Sequence, residues 1–405
     1  MPTDTTTATD LMKRVYTDGV IANLQNMEAE TFPQMKKSSR KVGGEGFFGP
    51  AHVQGNQRGQ GSQNENESLR ETGTQVVKQW KIYPTVFTHK IRYSGLAMAM
   101  ATGNESSFAD ILTFNNDNGF KDSTKELNAQ CFRDGRGRLA QVNGAVVASA
   151  TVNFDNGVPT HFREGMFVDM VNAGGTKQIN SIEIVDIDVG AQTVTLASAQ
   201  SCDDDSWIYR EDTNDNAPTT GKEMAGYPAV SDDGTIFATF ENIIRNGAGA
   251  SPKWRGLTLT MTGQNISNDS LLRMLFRLKV LSGTKAKMVR SNTSQFRKYL
   301  DLVIPTIRTT PEGKMDTMSR EVPTWNGMPW TIDTDCGFGD IYLEDDDYIQ
   351  KYEVFPLRLD QTDGKILKWD NNFDGFISYI KSYVQTGTEN PRKGIRATAL
   401  NTPTF

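Results

Sequence analysis

"NGMPWTIDTDCGFGDIYLEDDDYIQKYE", residues 326–353, gathers Asp333, Asp335, Asp340, Glu344, Asp345, Asp346 and Asp347 among apolar residues. As chemistry it suggests a metal site or a pair of catalytic carboxylates; as architecture, two strands and their turns. Met328, Trp330 and Ile332 alternate as a strand does, Gly337 and Gly339 break it, and Ile341, Tyr342 and Leu343 resume as a second. "EDDDYIQKY" then supplies turn and helix-start acids. Acids at element ends are ordinary turn chemistry, so the stretch marks a building block rather than an enzyme.

Upstream, "SNDSLLRMLFRLKVLSG" (267–283) begins with cap-type residues, places Leu271, Leu272, Leu275 and Leu278 on one face, and stops at Gly283, predicting an amphipathic helix. "KAKMVRSNTSQFRKYLDLVI" reads as a strand, a capped turn at Asn292 and Ser294, and a helix. Downstream, residues 351–400 predict a β-hairpin turned at Asp363-Gly364, then strands and a proline-marked tail.

Residues 120–142 carry Leu127, Cys131, Phe132, Leu139 and Val142 near a 3.6-residue period, with a capping-box pattern from Ser123 to Glu126, predicting a long helix weakened by Gly135 and Gly137. From 148 to 212 the texture changes to about five short β runs separated by turns such as Asp155-Asn156-Gly157, the pattern of a small barrel or sandwich. Residues 43–73 show neither helical nor alternating periodicity, and loops longer than about 15 residues in compact domains are uncommon unless they bind something or stay disordered. The alternating run "TQVVKQWKIYPTVFTHKIRYSG" follows, so the pair predicts an extended hairpin protruding from its own domain towards another copy of the chain.

The 405 residues carry a net charge of −6, which argues against a protein whose main task is gripping nucleic acid; "QMKKSSRKV" is a small local basic patch. Cys131, Cys202 and Cys336 are scattered without a CxxC pair, which fits assembly in a reducing cytoplasm. The N-terminus lacks a secretory pattern, and "SGLAMAMATG" (94–103) is too short to span a bilayer.

Several motifs fail on context. "GEGFFG" (44–49) has GxGxxG spacing, but a basic polar run precedes it and Pro50 follows, with no βαβ pattern. "DTNDNAPTTGKE" places Asp212, Asn214, Asn216 and Glu223 at calcium-loop positions, but Ala217 stands where a sharp turn needs glycine. His52, His89 and His161 lie in three separate segments with no nucleophile elbow or HExxH helix, and the acids of "CDDDSW" (202–207) read as a solvated turn between strands. No catalytic, cofactor or metal residue is assigned.

Taken in order, the polar arm, glycine-rich loop with β-arm, long helix, "SLLRMLFRLKVL", "KMVRSNTSQFRKYLD", the strand at Gly327-Met328-Pro329 and the Ile341-Tyr342-Leu343 strand resemble the major capsid proteins of tailed double-stranded-DNA bacteriophages. The resemblance covers nearly the whole length and rests on element order, each motif alone being short. It implies an α+β fold: an N-terminal arm (1–42), an extended β-hairpin loop and arm (43–93), a peripheral domain with a long spine helix (94–147), an axial domain (213–345), and a return to the peripheral domain (346–405). The β unit at 148–212 departs from the minimal pattern as an inserted domain.

The resemblance further implies a virion shell of hexamers and pentamers, assembled in the bacterial cytoplasm around double-stranded DNA, with portal, scaffold and decoration proteins as partners and no cofactor. Phe47, Phe48, Arg58, Arg70 and Trp80 are the expected contacts between copies; Lys36, Lys37, Arg40 and Lys41 are expected to face DNA. Lysine-to-asparagine cross-linking, known in some members, is not carried over, because no lysine lies between Lys41 and Lys78. The alternative is a secreted or surface β-rich binding protein, dependent on carbohydrate or calcium.

Overall fold

The computed structural model describes residues 28–96, 105–155, 157–213, 222–303, 324–362 and 364–401, with side chains in the helix that starts at Glu105 described from residue 113 onward. The expected arm helix near Gly19, most of the "DTNDNAPTTGKE" linker, Asn156 and Asp363 lie outside the described residues. The chain divides into two compact units: residues 1–33, 84–128 and 353–384, and residues 34–83, 129–352 and 385–405.

The first unit is built on a sheet in which β19 (Gly375–Gly387) is central, flanked by β17 (Gln350–Leu359) and β18 (Lys368–Trp369), with β3 (Thr85–Ser94) also paired to it. The expected hairpin around residue 364 is corrected: β17 and β18 each neighbour β19 rather than each other. Helix α1 (Glu105–Cys131) approaches this sheet closely at Gly119, where an added Cβ would lie 2.7 Å from Ile91 Cδ1 and 3.0 Å from Ile380 Cδ1. A helix can lie that near two β-branched side chains only where it carries no side chain of its own.

The long helix expected over 120–142 thus runs earlier. Ser123 does not cap it but sits inside it, donating from Oγ to the Gly119 carbonyl at 2.6 Å. The helix ends at Cys131, and Gly135 and Gly137 take left-handed φ of 82° and 76°, a conformation that suits glycine and reverses the chain.

In the second unit, β4 (Arg138–Val142), β5 (Val146–Asp155), β8 (Thr193–Cys202), β7 (Lys177–Asp188), β6 (Phe167–Val171) and β9 (Trp207–Arg210) close, in that order, into a barrel. Alternate residues, among them Val152, Val168, Ile184, Val194 and Ile208, fill its interior. The barrel begins ten residues before the expected border at 148, because Leu139 and Val142, which fit a helical period, belong with Ala140 to a strand.

The other large element is a six-stranded mixed sheet in the order β12 (Thr258–Thr260), β20 (Gly394–Thr398), β16 (Ile341–Glu344), β13 (Met288–Ser291), β15 (Met328–Ile332), β14 (Thr324–Trp325). The pairs β12/β20 and β13/β15 are parallel. Helix α2 (Asn268–Ser282) contributes Leu271, Met274 and Leu278 to the same core as Val289, Trp330, Leu343 and Ile395. A reciprocal Ser267–Ser270 capping box starts α2, and Gly283 at φ 72° ends it.

The opening stretch therefore forms β15 and β16, and the loop between them is held by the start of helix α3 (Thr293–Val303). Asn292 Nδ2 donates to the carbonyls of Thr334 (3.0 Å) and Cys336 (2.7 Å), and Gln295 Nε2 donates to that of Phe338 (2.7 Å). "EDDDYIQKY" starts no helix; it turns directly into β17.

Candidate functional site

Strands β1 (Phe47–Gln54) and β2 (Val76–Ile82) form an antiparallel hairpin whose register sets Phe47 opposite Ile82 and Gly49 opposite Trp80. Phe47 and Trp80, 2% and 0% exposed, pack with Ile82, Ile243, Trp254 and Tyr352. The Trp80 indole occupies the space a side chain at position 49 would need: a Cβ there would sit 2.4 Å from Trp80 Cζ2. The last glycine of "GEGFFG" thus serves packing. Phe47 and Trp80, expected as contacts between copies, are instead enclosed by their own chain; Phe48 is half-buried, with Lys81 Nζ 5.5 Å from its ring centre.

Between the two strands, residues 57–72 are exposed throughout. They carry no backbone ladder but are cross-tied by side chains. Asn56 Oδ1 accepts from Gly73 N at 3.0 Å, Arg58 pairs with Glu71, Arg70 Nη2 donates to the Ser62 carbonyl at 2.8 Å, and Gln63 Nε2 donates to that of Ser68 at 2.7 Å. The excursion is a hairpin drawn in side chains, with Arg58 and Arg70 as its rungs. Of the loop expected over 43–73, residues 47–54 form strand β1, with Ala51 and Val53 buried.

The basic arm is largely committed. Lys36 pairs with Asp347, and that hydrogen bond raises the lysine's pKa and lowers the aspartate's. Lys37 bridges to Lys351 in parallel, Lys36 O accepts from Lys351 N at 2.9 Å, and Ser38 N donates to Lys351 O at 2.8 Å. Arg40 Nε lies 2.7 Å from Glu389 and its guanidinium 5.7 Å from the Trp80 ring centre. Lys41 is exposed.

The acids of residues 333–347, expected as turn and helix-start acids at element ends, are in part buried partners of arginine instead. Asp340 accepts from Arg396 Nη2 at 2.7 Å, and Glu344 from Arg290 Nε at 2.9 Å and Tyr227 OH at 3.2 Å, in buried surroundings. Asp345 and Asp346 meet Lys287 at 2.8 and 2.9 Å at the surface. Asp333 Oδ1 accepts from Asp335 N at 2.9 Å, closing the loop itself. Glu223, the last residue of the calcium-like spacing, is buried against Arg133 at 2.8 Å. Among the described residues, no three His, Cys, Asp or Glu side chains are placed to hold a metal ion.

The histidines serve separate elements. His52 meets Gln75 on the hairpin, His89 Nδ1 lies 3.1 Å from Ser123 Oγ, and His161 Nε2 lies 2.9 Å from the Asp335 carbonyl. Cys131, Cys202 and Cys336 are buried free thiols, and burial pushes their pKa values up. No described helix is long and apolar enough to cross a membrane.

Two features escaped the sequence reading. Glu241 accepts from Thr388 N at 2.8 Å through Oε1, while Oε2 is buried without a hydrogen-bond partner. Its own carbonyl receives Lys81 N at 2.9 Å, at the base of β2. Burial pushes its pKa up to about 8. On α2, Leu272 turns outward with Phe276 (59% exposed) and Val280 (83%), an apolar stripe at every fourth residue opposite the core face. The repeated leucines hid it, because 271 and 272 cannot both face inward.

No family model matches the chain, and no curated protein matches it. Solved structures do. A chain of the cyanophage A-1(L) capsid asymmetric unit is similar over 98% of this chain and 98% of its own, with a TM-score of 0.59 and 11% identity. The capsid of the empty GTA particle is similar over 95% and 94%, with a TM-score of 0.50 and 11% identity. The fold is that of the tailed-phage capsid proteins, as the element order implied.

Proposed function

We propose that the chain is a shell-forming structural protein: copies assemble into the icosahedral capsid of a tailed bacteriophage and enclose its double-stranded DNA. The full-length fold similarity to capsid chains carries this reading. The exposed excursion at 57–72 supports it, since a tip so rich in polar backbone and side chains gains most when a second copy covers it. In this reading hexamers and pentamers form through Phe48, Arg58 and Arg70, while Phe47 and Trp80 hold the hairpin that presents them. Lys41 and the neighbouring arm meet DNA weakly and without sequence preference. Portal, scaffold and decoration proteins complete the particle, assembly takes place in the host cytoplasm, and the chain performs no catalysis. The unit of residues 84–128 and 353–384 corresponds in this reading to the peripheral domain, and the six-stranded sheet with α2 and α3 to the axial domain. The alternative β-rich binding protein draws no support from the structural neighbours.

Negative-stain microscopy of the purified chain tests the proposal. Shells, tubes or rings are expected; a chain that stays monomeric across protein concentration, salt and crowding agents would overturn it.

A further inference from the structure

Residues 138–212 hold eleven carboxylates against four cations, Arg138, Arg163, Lys177 and Arg210. Lys177 is neutralised by Asp169 at 2.8 Å. Arg138 differs: its Nε donates to Tyr209 OH at 3.2 Å, its guanidinium lies 4.1 Å from the Trp207 ring centre, and no described acid pairs with it. A guanidinium stacked on an indole and tied through Nε keeps both Nη groups in a planar fork, the geometry that receives an oxyanion in two parallel hydrogen bonds.

Arg138 lines a cavity of about 540 Å³ within the second unit, in the range of roughly 300–1,000 Å³ typical of small-molecule sites. Arg396 lines it too. Its Nη2 is taken by Asp340, but its Nε is buried with no hydrogen-bond partner, an unmet donor in a chain where most buried donors are satisfied. Arg136, also on the wall, is balanced by Asp134 at 2.5 Å, Arg133 by Glu223 at 2.8 Å, and Asp340 by Arg396, so among the described residues Arg138 is the lining charge without an opposite partner. The remaining surface includes Phe132, Phe338 and Leu400 beside Trp207, which favours a flat apolar body over a bare ion.

We propose that this cavity is an oxyanion-binding site, taking a phosphate or carboxylate carried on a planar apolar body, with Arg138, backed by the Trp207 indole, as its anchor and Phe132, Phe338 and Leu400 as its apolar wall. The site is independent of shell formation and of the "GEGFFG" loop.

The test is isothermal titration calorimetry on the purified full-length chain, with tryptophan fluorescence in parallel. The probes are adenosine monophosphate, adenosine, inorganic phosphate and 3-phenylpropionate. One adenosine monophosphate per chain is expected to bind, with adenosine and inorganic phosphate each weaker by about tenfold or more, since each lacks half of the recognition. Saturable binding of phenylpropionate would assign the site to carboxylates as well as phosphates; its failure would restrict it to phosphates. Arg138→Gln should weaken binding about tenfold or more, and Arg138→Lys, which keeps the charge and loses the fork, by a smaller factor. Trp207→Phe should retain calorimetric binding and lose most of the fluorescence change. The proposal is overturned if neither organic anion binds up to millimolar concentration, or if a folded Arg138→Gln or Arg138→Lys chain binds as the parent does.

Discussion

Arg290 Nε donates to Glu344 Oε1 at 2.9 Å, and the two side chains are 5% and 3% exposed, so β13 and β16 are joined by an ion pair sealed from water. Tyr227 OH donates to the same oxygen. Removing one partner leaves a buried charge uncompensated, at a cost of about 3–5 kcal/mol, whereas removing both with apolar residues of similar volume is often close to neutral. Glu344→Leu should therefore lose about 3–5 kcal/mol in urea denaturation, and adding Arg290→Met should restore much of it. Simple additivity of the two losses would show that the pair is not coupled.

Glu241 gives stability an unusual pH slope. Burial lifts its pKa to about 8, so between the ordinary carboxylate range and pH 8 the native chain holds a proton that the unfolded chain has released. Where the native state binds more protons, stability falls as pH rises, so this group's contribution is lost across that window. Glu241→Gln should match the parent near pH 4 and exceed it by about 1–4 kcal/mol at pH 8. Denaturant midpoints at four pH values check this; an unchanged slope would mean that Glu241 is solvated in solution.

The hairpin tip can be removed without touching the packing beneath it. Asn56 and Gly73 are already hydrogen-bonded at 3.0 Å, so deleting residues 57–72 and joining the ends keeps β1, β2 and the Trp80 cluster. The deleted chain should show the parent's circular dichroism and thermal midpoint but fail to close shells under the microscope. A wider cut over 50–70 would take Ala51 and Val53 out of the core and confuse folding with assembly. As a control, Asp345→Asn with Asp346→Asn removes the surface partners of Lys287, a small change because the ion pairs are exposed, and should assemble normally.

The barrel should be separable. Arg138 on the first strand is the register partner of Tyr209 on the last, so the chain enters and leaves at neighbouring points. Excising Arg138–Arg210 and bridging the gap with a short glycine linker should leave a cooperative unfolding transition and the remaining helix signal in circular dichroism. Excising 148–212 instead leaves β4 and its apolar residues without partners, and should aggregate. Global unfolding of the first variant would show that the rest of the chain depends on the barrel.

Local chemistry and element order were sufficient for much of this protein. Ser267 and Gly283 bracket α2, the alternation from Met328 to Ile332 is a strand, and the succession of elements implied the capsid fold. Each of those features depends on residues within a few positions of one another, or on their order, and both are written in the chain. Tertiary structure decided what depends on distant partners. Whether Leu139 and Val142 continue a helix or begin a barrel turns on Tyr209 and Ile208, some seventy residues away, because a short apolar run fits either period until a strand pairs with it. Whether Glu344 is a turn acid or a buried partner turns on Arg290, and whether Trp80 reaches out or packs inward turns on the bare backbone of Gly49 opposite it. Burial and charge pairing are properties of the assembled core, and a carboxylate or an indole has no sign of its own to show which environment it will meet.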